Sequence, residues 1–311
     1  MARPYRSPGH ACPCPAPVRP HRGAEHTKCP GEPGSRVNTD AVPQPPTGYA
    51  YLDATLDGAG PVLAFAHRGG AYHPEIEGLE NTIAAFRHAV DLGYRYLETD
   101  VHATSDGVLL AFHDAALDRV SDTPGEIAQL TAAEVAAALV GGRERVPTLA
   151  QLFEEFPDAC FNIDIKADAA VPLLAQFVSE RQAWDRMLVG AFSQRRINRF
   201  RRLTGGRVPT SAHPLEVLAF RFLPSARLAD LLTRRRFAAL QIPHRRGPLL
   251  LVSDGLVRRA HRAGKHVHVW TIDEPAEMRE LLDRGVDGLM TDRTDILRDV
   301  LVERGQWRVE T

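Results

Sequence analysis

The sequence predicts an α/β fold, a (β/α)8 TIM barrel in a single domain. From Pro61 onward, short apolar runs of strand length alternate with amphipathic stretches of helix length, giving about eight strand–helix units in roughly 250 residues. No G-x-G-x-x-G follows the first strand, which argues against an open doubly wound sheet. Polar residues collect at the ends of several predicted strands, where such barrels place their sites.

Residues 1–48 differ in composition from residues 49–311, the predicted barrel. The leader is rich in Pro, Gly, Arg and His without periodicity, and a segment of that kind cannot bury enough apolar surface to offset its ordering entropy. We therefore predict a disordered leader. Cys12, Cys14 and Cys29 lie in it without the spacing of a zinc site, so we interpret them as plain thiols.

The net charge and the lengths of the apolar runs exclude several classes of protein. Formal net charge is −1, which gives no indication of a nucleic-acid partner. No apolar run reaches the roughly 18 residues that span a bilayer, and no secretory signal core begins the chain. We expect a cytoplasmic protein without stable membrane insertion, and the sequence leaves its oligomeric state open.

The predicted elements alternate along the chain, and local signals support several of their ends. Asn81 is a good N-cap for the first helix and Gly93 a good stop, while Thr131 and Glu134 form a capping box. The predicted strands cover residues 62–66, 94–102, 108–112, 161–166, 186–191, 207–211, 238–242, 266–271 and 287–291. The predicted helices cover residues 82–92, 131–139, 148–156, 169–181, 193–203, 213–221, 253–263, 274–283 and 293–303.

The second strand carries Glu98, Asp100 and His102 two residues apart, so their side chains share one face. Such a face cannot be buried in a dry core because unpaired charges there are too costly. It requires a metal, a ligand or counter-charges. We interpret this stretch as half of an active site.

Asp164 and Lys166 alternate in the same way on the next predicted strand, N-I-D-I-K. Glu98, Asp100 and Asp164 would form an all-carboxylate trio, and oxygen ligands of this kind suit Mg²⁺ or Ca²⁺. For each carboxylate alone, a salt bridge to a buried arginine is the simpler interpretation.

His67 and His113 each follow a predicted strand and are candidates for a general acid/base pair, because imidazole titrates near neutral pH. Arg68 and Lys166 could hold a phosphate, the first through its fork and the second as a point charge. The alternative is that these two cations pair with Glu80 or with the carboxylate trio.

Four further features receive simpler interpretations. Glu80 and Asn81 begin a helix, and we expect Glu80 to support His67 or Arg68 from behind. Trp270 ends the seventh barrel strand and could be a wall against the leaving group or plain packing. The basic run that includes Arg195, Arg196, Arg199, Arg201 and Arg202 is interpreted as a solvated helix face, with contact to anionic membranes as the lesser alternative. His102, His213 and His261 are given structural roles.

Taken in order, these motifs resemble one family. H-R-G-G, E-N-T, E-T-D-V-H-A-T-S-D-G, H-D, V-P-T-L, N-I-D-I-K, V-W-T-I-D and G-V-D-G-L-M-T-D-R are similar to the glycerophosphodiester phosphodiesterase family, which is related to phospholipase-C-like phosphodiesterases. The resemblance runs from about Val62 to Trp307. It implies hydrolysis of small glycerophosphodiesters to an alcohol and sn-glycerol 3-phosphate with a divalent metal.

The resemblance also implies residue roles. The catalytic histidines fall on His67 and His113, the phosphate-contacting cations on Arg68 and Lys166, and the metal carboxylates on Glu98, Asp100 and Asp164. Two positions depart from the family pattern: Asp164 replaces the usual Glu, which leaves metal preference open, and Ala191-Phe192 replaces a common Ser-Phe.

Three alternatives remain on the sequence alone. A lysophospholipase D-like or sphingomyelinase D-like enzyme of the same barrel would need an apolar mouth, and the sequence shows no exposed apolar loop or membrane helix to provide one. An amidohydrolase-type metal barrel normally has His-x-His after the first strand, where this chain has His67-Arg68-Gly69. A non-catalytic phosphate-binding barrel is disfavoured by the complete set of histidines and carboxylates.

Overall fold

The computed structural model describes residues 46–53, 62–233 and 236–307; the predicted leader falls almost entirely outside them. The strands are β1 Leu63–His67, β2 Tyr96–Ala103, β3 Leu109–Ala111, β4 Leu139–Val140, β5 Glu144–Arg145, β6 Cys160–Ile165, β7 Met187–Gly190, β8 Ala239–Pro243, β9 Arg245–Arg246, β10 Leu249–Leu250, β11 His266–Trp270 and β12 Gly288–Thr291.

The helices alternate with these strands. They are α1 Ala50–Asp53, α2 Ile83–Asp91, α3 Ala132–Val135, α4 Leu149–Glu155, α5 Ala170–Arg181, α6 Gln194–Leu203, α7 Pro214–Phe222, α8 Ala226–Leu232, α9 Asp254–Arg262, α10 Pro275–Asp283 and α11 Thr294–Glu303, with a 3-10 turn at Ile127–Gln129.

Parallel pairing arranges the main strands in the order β7-β6-β2-β1-β12-β11-β8. The predicted strand at 207–211 closes the ring without forming a regular strand. Thr210 pairs with Val189 of β7 and Ser211 pairs with Ala239 of β8, both in parallel. The predicted eightfold barrel is therefore confirmed, with its fifth position made of isolated bridges.

Apolar residues fill both sides of the barrel wall. Inside, Leu63, Phe65 and Met290 pack together, and Tyr51 and Leu52 of α1 join this interior cluster. Outside, the helices pack their apolar faces on the strands in one large buried cluster. Packing on both faces is typical of parallel barrel strands, which explains their nearly continuous apolar sequence.

Two local predictions were wrong, and two local elements were not predicted. Thr82, not Asn81, caps α2, because Asn81 has a left-handed backbone and Thr82 accepts from the Ala85 N–H. The helix predicted over 131–139 ends at Val135, and residues 139–145 form the β4–β5 hairpin. Helix α8 and the β9–β10 hairpin were not predicted.

Arg201 is a further correction, because it does not belong to a solvated face. Its side chain is buried, with both terminal nitrogens on the Glu216 carboxylate at 2.7 and 3.0 Å and Nε on Thr210 Oγ1 at 2.9 Å. Its NH2 also donates to the Ser211 carbonyl, and its NH1 donates to Asn198 Oδ1. Arg201 thereby fastens α6, the closing segment and α7 to one another.

Candidate active site

A cavity of about 850 Å³ opens at the carboxyl ends of the barrel strands, within the size range of small-molecule sites. Eight of the predicted site residues line it together: His67, Arg68, Glu98, Asp100, His113, Asp164, Lys166 and Trp270. We call the first seven of these the polar floor. Glu80 and Asn81 do not line the cavity and lie behind it.

The turn after β1 is shaped by close packing. Gly69 and Gly70 both have positive φ, and a Cβ on either would come within 2.7 Å of Ala85 or Thr294. Arg68 itself has φ 50, a conformation that costs energy for a residue with a side chain. The Arg68 N–H donates to the Glu98 carbonyl at 3.1 Å, which helps to hold this turn against β2.

Asn81 secures the same turn from behind. Its backbone N–H donates to the Arg68 carbonyl at 2.9 Å, and its Oδ1 accepts from Thr99 Oγ1 at 2.8 Å. Glu80 accepts from Arg68 NH1 at 3.2 Å and from both terminal nitrogens of Arg119. Burial opposes ionisation of Glu80, but Arg119 and Arg68 keep its pKa below the usual range.

The carboxylates lie where the strand register brings them. Asp100 of β2 is the parallel partner of Asp164 of β6, and Glu98 precedes Asp100 on the same face of β2. Glu98 and Asp100 are only 5% and 2% exposed. Burial, followed by repulsion from Asp100, raises the pKa of Glu98 to about 7. Burial also raises the pKa of Asp164.

Two cations pair with these carboxylates. Lys166 Nζ lies 2.9 Å from Asp100 Oδ1 and 2.7 Å from Asp164 Oδ2, and Arg68 Nε lies 3.3 Å from Asp100 Oδ2. Burial alone would lower the pKa of Lys166, but Asp164 and Asp100 outweigh it and raise that pKa. The salt-bridge interpretation is thus realised for Asp100 and Asp164, whereas the Glu98 carboxylate lies 3.8 Å from His67 Nε2.

The carboxylates nevertheless fit a divalent cation. Asp100 Oδ2 is buried and accepts no hydrogen bond from the described residues. Burial is the main cause of the raised pKa values of Glu98 and Asp164, and the nearby Lys166, which lowers both pKa values, does not offset it. Three clustered carboxylates on rigid strands are the oxygen donors that hard cations prefer.

Each imidazole of the floor is oriented by an aspartate. His67 Nδ1 lies 2.8 Å from Asp292 Oδ1, and His113 Nδ1 lies 2.5 Å from Asp114 Oδ1. An ionised carboxylate only accepts, so Nδ1 carries the proton in both rings and Nε2 is left for chemistry. Burial would lower the pKa of His67, but Glu98 and Asp292 outweigh it and raise that pKa.

Two supporting residues, Asp292 and Arg119, were missed in the sequence. Asp292 was visible only as part of the T-D-R motif after β12, and its contact with His67 spans 225 positions. Arg119 bridges Glu80 and Asp114 across a loop with no periodic pattern. His102, predicted to be structural, places its Nε2 3.0 Å from the His113 carbonyl and so positions the strand end that carries His113.

The opposite side of the cavity is apolar. Val217, Leu218 and Phe222 of α7, with Leu249 and Leu251 at the β9–β10 hairpin, form what we call the apolar wall. Trp270 and Phe192 meet edge to face at the mouth, with ring centroids 6.0 Å apart. The expectation that no exposed apolar loop serves this mouth was wrong, because Leu249 of the β9–β10 hairpin is exposed and lines the cavity. Helix α7 adds to this apolar surface, since it buries Phe220 against the barrel and turns Leu218 and Phe222 outward.

A separate cluster lies outside the cavity. Among the described residues, only His73, Glu75 and His88 bring three His, Cys or acidic ligand atoms within 4.8 Å of one another. Glu75 N–H donates to His73 Nδ1, and the Glu75 carboxylate lies 3.2 Å from His88 Nε2. The carboxylates of the floor are spread more widely, because Lys166 lies between two of them.

Comparison with known proteins identifies the family of this chain. Residues 67–296 match the profile of the Glycerophosphoryl diester phosphodiesterase family. The chain is 39% identical over 260 residues to a probable glycerophosphodiester phosphodiesterase 2 of Mycobacterium tuberculosis, covering 81% of this chain and 98% of that protein. It is also 29% identical over 272 residues to human lysophospholipase D GDPD1, covering 76% and 85% of the two chains.

Solved structures share the fold. A glycerophosphoryl diester phosphodiesterase from Silicibacter pomeroyi aligns with TM-score 0.67 at 23% identity, covering 83% of this chain and 99% of its own. A phosphodiesterase from Oleispira antarctica, in complex with the product sn-glycerol-3-phosphate, aligns with TM-score 0.66 at 21% identity, covering 78% and 97%.

A closed barrel with paired histidines and clustered carboxylates at its strand ends defines a phosphodiester hydrolase of the TIM-barrel class. The chain belongs to the glycerophosphodiester phosphodiesterase family. No helix in the described part of the chain has both the length and the apolar character required to cross a bilayer.

Proposed function

We propose that this enzyme hydrolyses glycerophosphodiesters to an alcohol and sn-glycerol 3-phosphate with Mg²⁺ or Ca²⁺, acting in the cytoplasm. The observation that carries the proposal is the polar floor, where two oriented imidazoles, three carboxylates and two cations face one cavity. The product bound in the Oleispira antarctica structure, which shares this fold, supports the same product here.

Glu98, Asp100 and Asp164 would hold the metal. When bound, the metal would neutralise charge that develops on the phosphate oxygens in the transition state. Arg68 would contact the phosphate through its guanidinium, and Lys166 would contribute a point charge beside it. Trp270 would lie against the substrate at the mouth of the cavity.

His67 and His113 would divide the proton transfers. One Nε2 would take the proton of the attacking hydroxyl, and the other would deliver a proton to the leaving alkoxide. Asp292 and Asp114 would keep both rings in the tautomer that this requires. Water and the substrate's own glycerol hydroxyl are both compatible attackers.

A second candidate is hydrolysis of lysophospholipids, glycerophosphodiesters that carry one acyl chain. The specific observation in its favour is the apolar wall, since Leu218, Phe222 and Leu249 offer a surface that a bare glycerol head group does not need. The similarity to human lysophospholipase D GDPD1 is in accord with it.

The test is a substrate panel at fixed enzyme concentration. Glycerophosphocholine, glycerophosphoethanolamine and lysophosphatidylcholine are each incubated with Mg²⁺, Ca²⁺ or chelator, and glycerol 3-phosphate, lysophosphatidic acid and free choline are measured. The primary proposal predicts metal-dependent glycerol 3-phosphate release from the first two. Faster choline release from lysophosphatidylcholine would favour the second candidate, and absence of turnover with every metal would contradict both.

A further inference from the structure

We propose that α7, α8 and the β9–β10 hairpin form a docking face for an anionic lipid surface, which holds the cavity mouth against the lipid. The proposal rests on the proposed function in one respect, namely that the cavity beside this face is the substrate site. The face itself is defined by seven exposed apolar side chains: Leu215, Leu218, Phe222, Leu228, Leu231, Leu232 and Leu249.

Exposed apolar side chains are concentrated on this face. Of the eleven large apolar side chains exposed in the described part of the chain, six lie on α7 and α8. Phe222, Leu231 and Leu232 are 64%, 72% and 61% exposed. Helices α7 and α8 contact each other, and a concentration of exposed apolar side chains on neighbouring elements marks an interaction site.

The charges on the same segment point to an anionic partner. The only acidic residues between Pro214 and Leu250 are Glu216 and Asp230, and both are buried, the first on Arg201 and the second 3.1 Å from Lys265. The face is accompanied by five exposed or half-buried arginines: Arg221, Arg227, Arg236, Arg245 and Arg246. Within the described residues, no carboxylate lies within 4.0 Å of their guanidinium nitrogens.

Apolar residues interleaved with arginines are the pattern of a surface that rests on anionic lipid. The leucines enter the acyl boundary while the guanidiniums contact phosphates. This charge arrangement is local, because the whole chain has a formal net charge of only −1. A second copy of the chain would bring like charges together across the interface, which disfavours it as the occupant.

The docking face is continuous with the wall of the cavity. Leu218, Phe222 and Leu249 belong both to the docking face and to the apolar wall. A lipid-derived substrate could therefore pass from the surface to the polar floor along α7 without crossing water. Arg201 fixes α7, which carries residues of both the cavity wall and the docking face, through Glu216.

The experiment is vesicle co-sedimentation of the full-length protein with phosphatidylcholine vesicles, with and without about 30 mol % phosphatidylglycerol. The test variant is Leu231→Ser/Leu232→Ser, because neither side chain lines the cavity. Its matched control is Leu203→Ser/Val302→Ser, at positions 53% and 54% exposed on α6 and α11. A second variant, Arg227→Gln/Arg245→Gln, tests the charge contribution.

The wild-type protein and the control should bind the anionic vesicles, and the leucine variant should bind about tenfold more weakly or worse. The arginine variant should lose binding mainly to anionic vesicles. Equal binding by all variants, or no binding by the wild type, would overturn the proposal. A concentration-dependent dimer of the wild-type protein that the leucine variant abolishes would also overturn the proposal.

Turnover of soluble glycerophosphocholine in the same preparations separates the two proposals. Vesicle binding without any turnover would contradict the proposed function and leave the docking face intact. Normal turnover without vesicle binding would contradict the docking face and leave the proposed function intact. A leucine variant with full turnover also shows that the loss of binding does not come from misfolding.

Discussion

The polar floor and the apolar wall face each other across one cavity, yet they are built differently. Floor residues such as Asp100 and Asp164 are fixed by strand register and by ion pairs with Lys166. Wall residues such as Leu218 and Phe222 lie on a helix that leaves the barrel and is held through Arg201. We therefore propose that chemistry and substrate range are carried by separate segments, which mutations can change one at a time.

The largest effect is expected when one imidazole of the polar floor is removed. His67→Gln should lower kcat about 10²–10⁴-fold, because proton transfer in the transition state is lost. Glycerophosphocholine and lysophosphatidylcholine should be affected alike, measured by choline release. His88→Gln, outside the cavity, is the control and should retain turnover. A loss under about tenfold at both His67 and His113 would remove the acid/base assignment.

Weakening the support of the floor should have a smaller effect. Asp292→Asn keeps the side-chain shape but no longer fixes the tautomer of His67, so we expect kcat to fall about 10–100-fold with KM little changed. Steady-state kinetics on glycerophosphocholine measures both constants. If KM rose and kcat did not fall, Asp292 would act on substrate binding and not on His67.

Changes to the wall should separate the two substrate types. Leu218→Ser/Phe222→Ser should raise KM for lysophosphatidylcholine about tenfold, because the acyl chain loses apolar contact. Glycerophosphocholine should show kinetics close to wild type, since its head group meets the floor. The kinetics are compared below the micellar concentration of the lipid. Equal losses on both substrates would mean that floor and wall are not independent.

The last expected effect is on stability and not on turnover, and it lies in the core beneath the floor. Burial lowers the pKa of His268 to about 3, against 6.5 for an unperturbed imidazole. The unfolded chain therefore binds a proton that the folded chain refuses, and stability falls as pH drops below about 6.5. Between pH 7 and pH 5 this histidine should cost at most about 2 kcal/mol of unfolding free energy.

Urea unfolding at pH 7 and pH 5 measures this effect, with His268→Gln as the comparison. The variant should show a smaller loss of stability between the two pH values. Gln241, which lies 3.3 Å from His268 Nδ1, also bonds Asn162 and so keeps a partner in the variant. An unchanged pH dependence would place the sensitivity in other groups.

The floor could be predicted from sequence because strands make its geometry periodic. Alternation places Glu98 and Asp100 on one face, and parallel pairing brings Asp164 beside them without knowledge of the tertiary structure. The supporting residues could not be found in this way. Asp292 and Arg119 act through contacts that only the closed barrel creates.

The wall escaped prediction for a different reason. The bounds of helix α7 were predicted to within one residue at each end. The periodicity of its sequence does not reveal that apolar side chains lie both on its barrel side and on its cavity side. Helix α8 is short and the β9–β10 hairpin has two-residue strands, so neither gives a periodic signal. Arg201 illustrates the same limit, because its place in a basic run resembles a solvated surface until Glu216 is positioned beside it.

Helix α1 has a practical consequence for anyone who shortens this chain. Tyr51 and Leu52 precede the first barrel strand in the sequence. Both are buried against the interior cluster that includes Phe65. An expression clone that starts at β1 would expose that cluster to water and lose roughly 1.5–3 kcal/mol for each of the two side chains. A trimmed protein for crystallisation should therefore begin upstream of Thr47, whose side chain bonds Asp53.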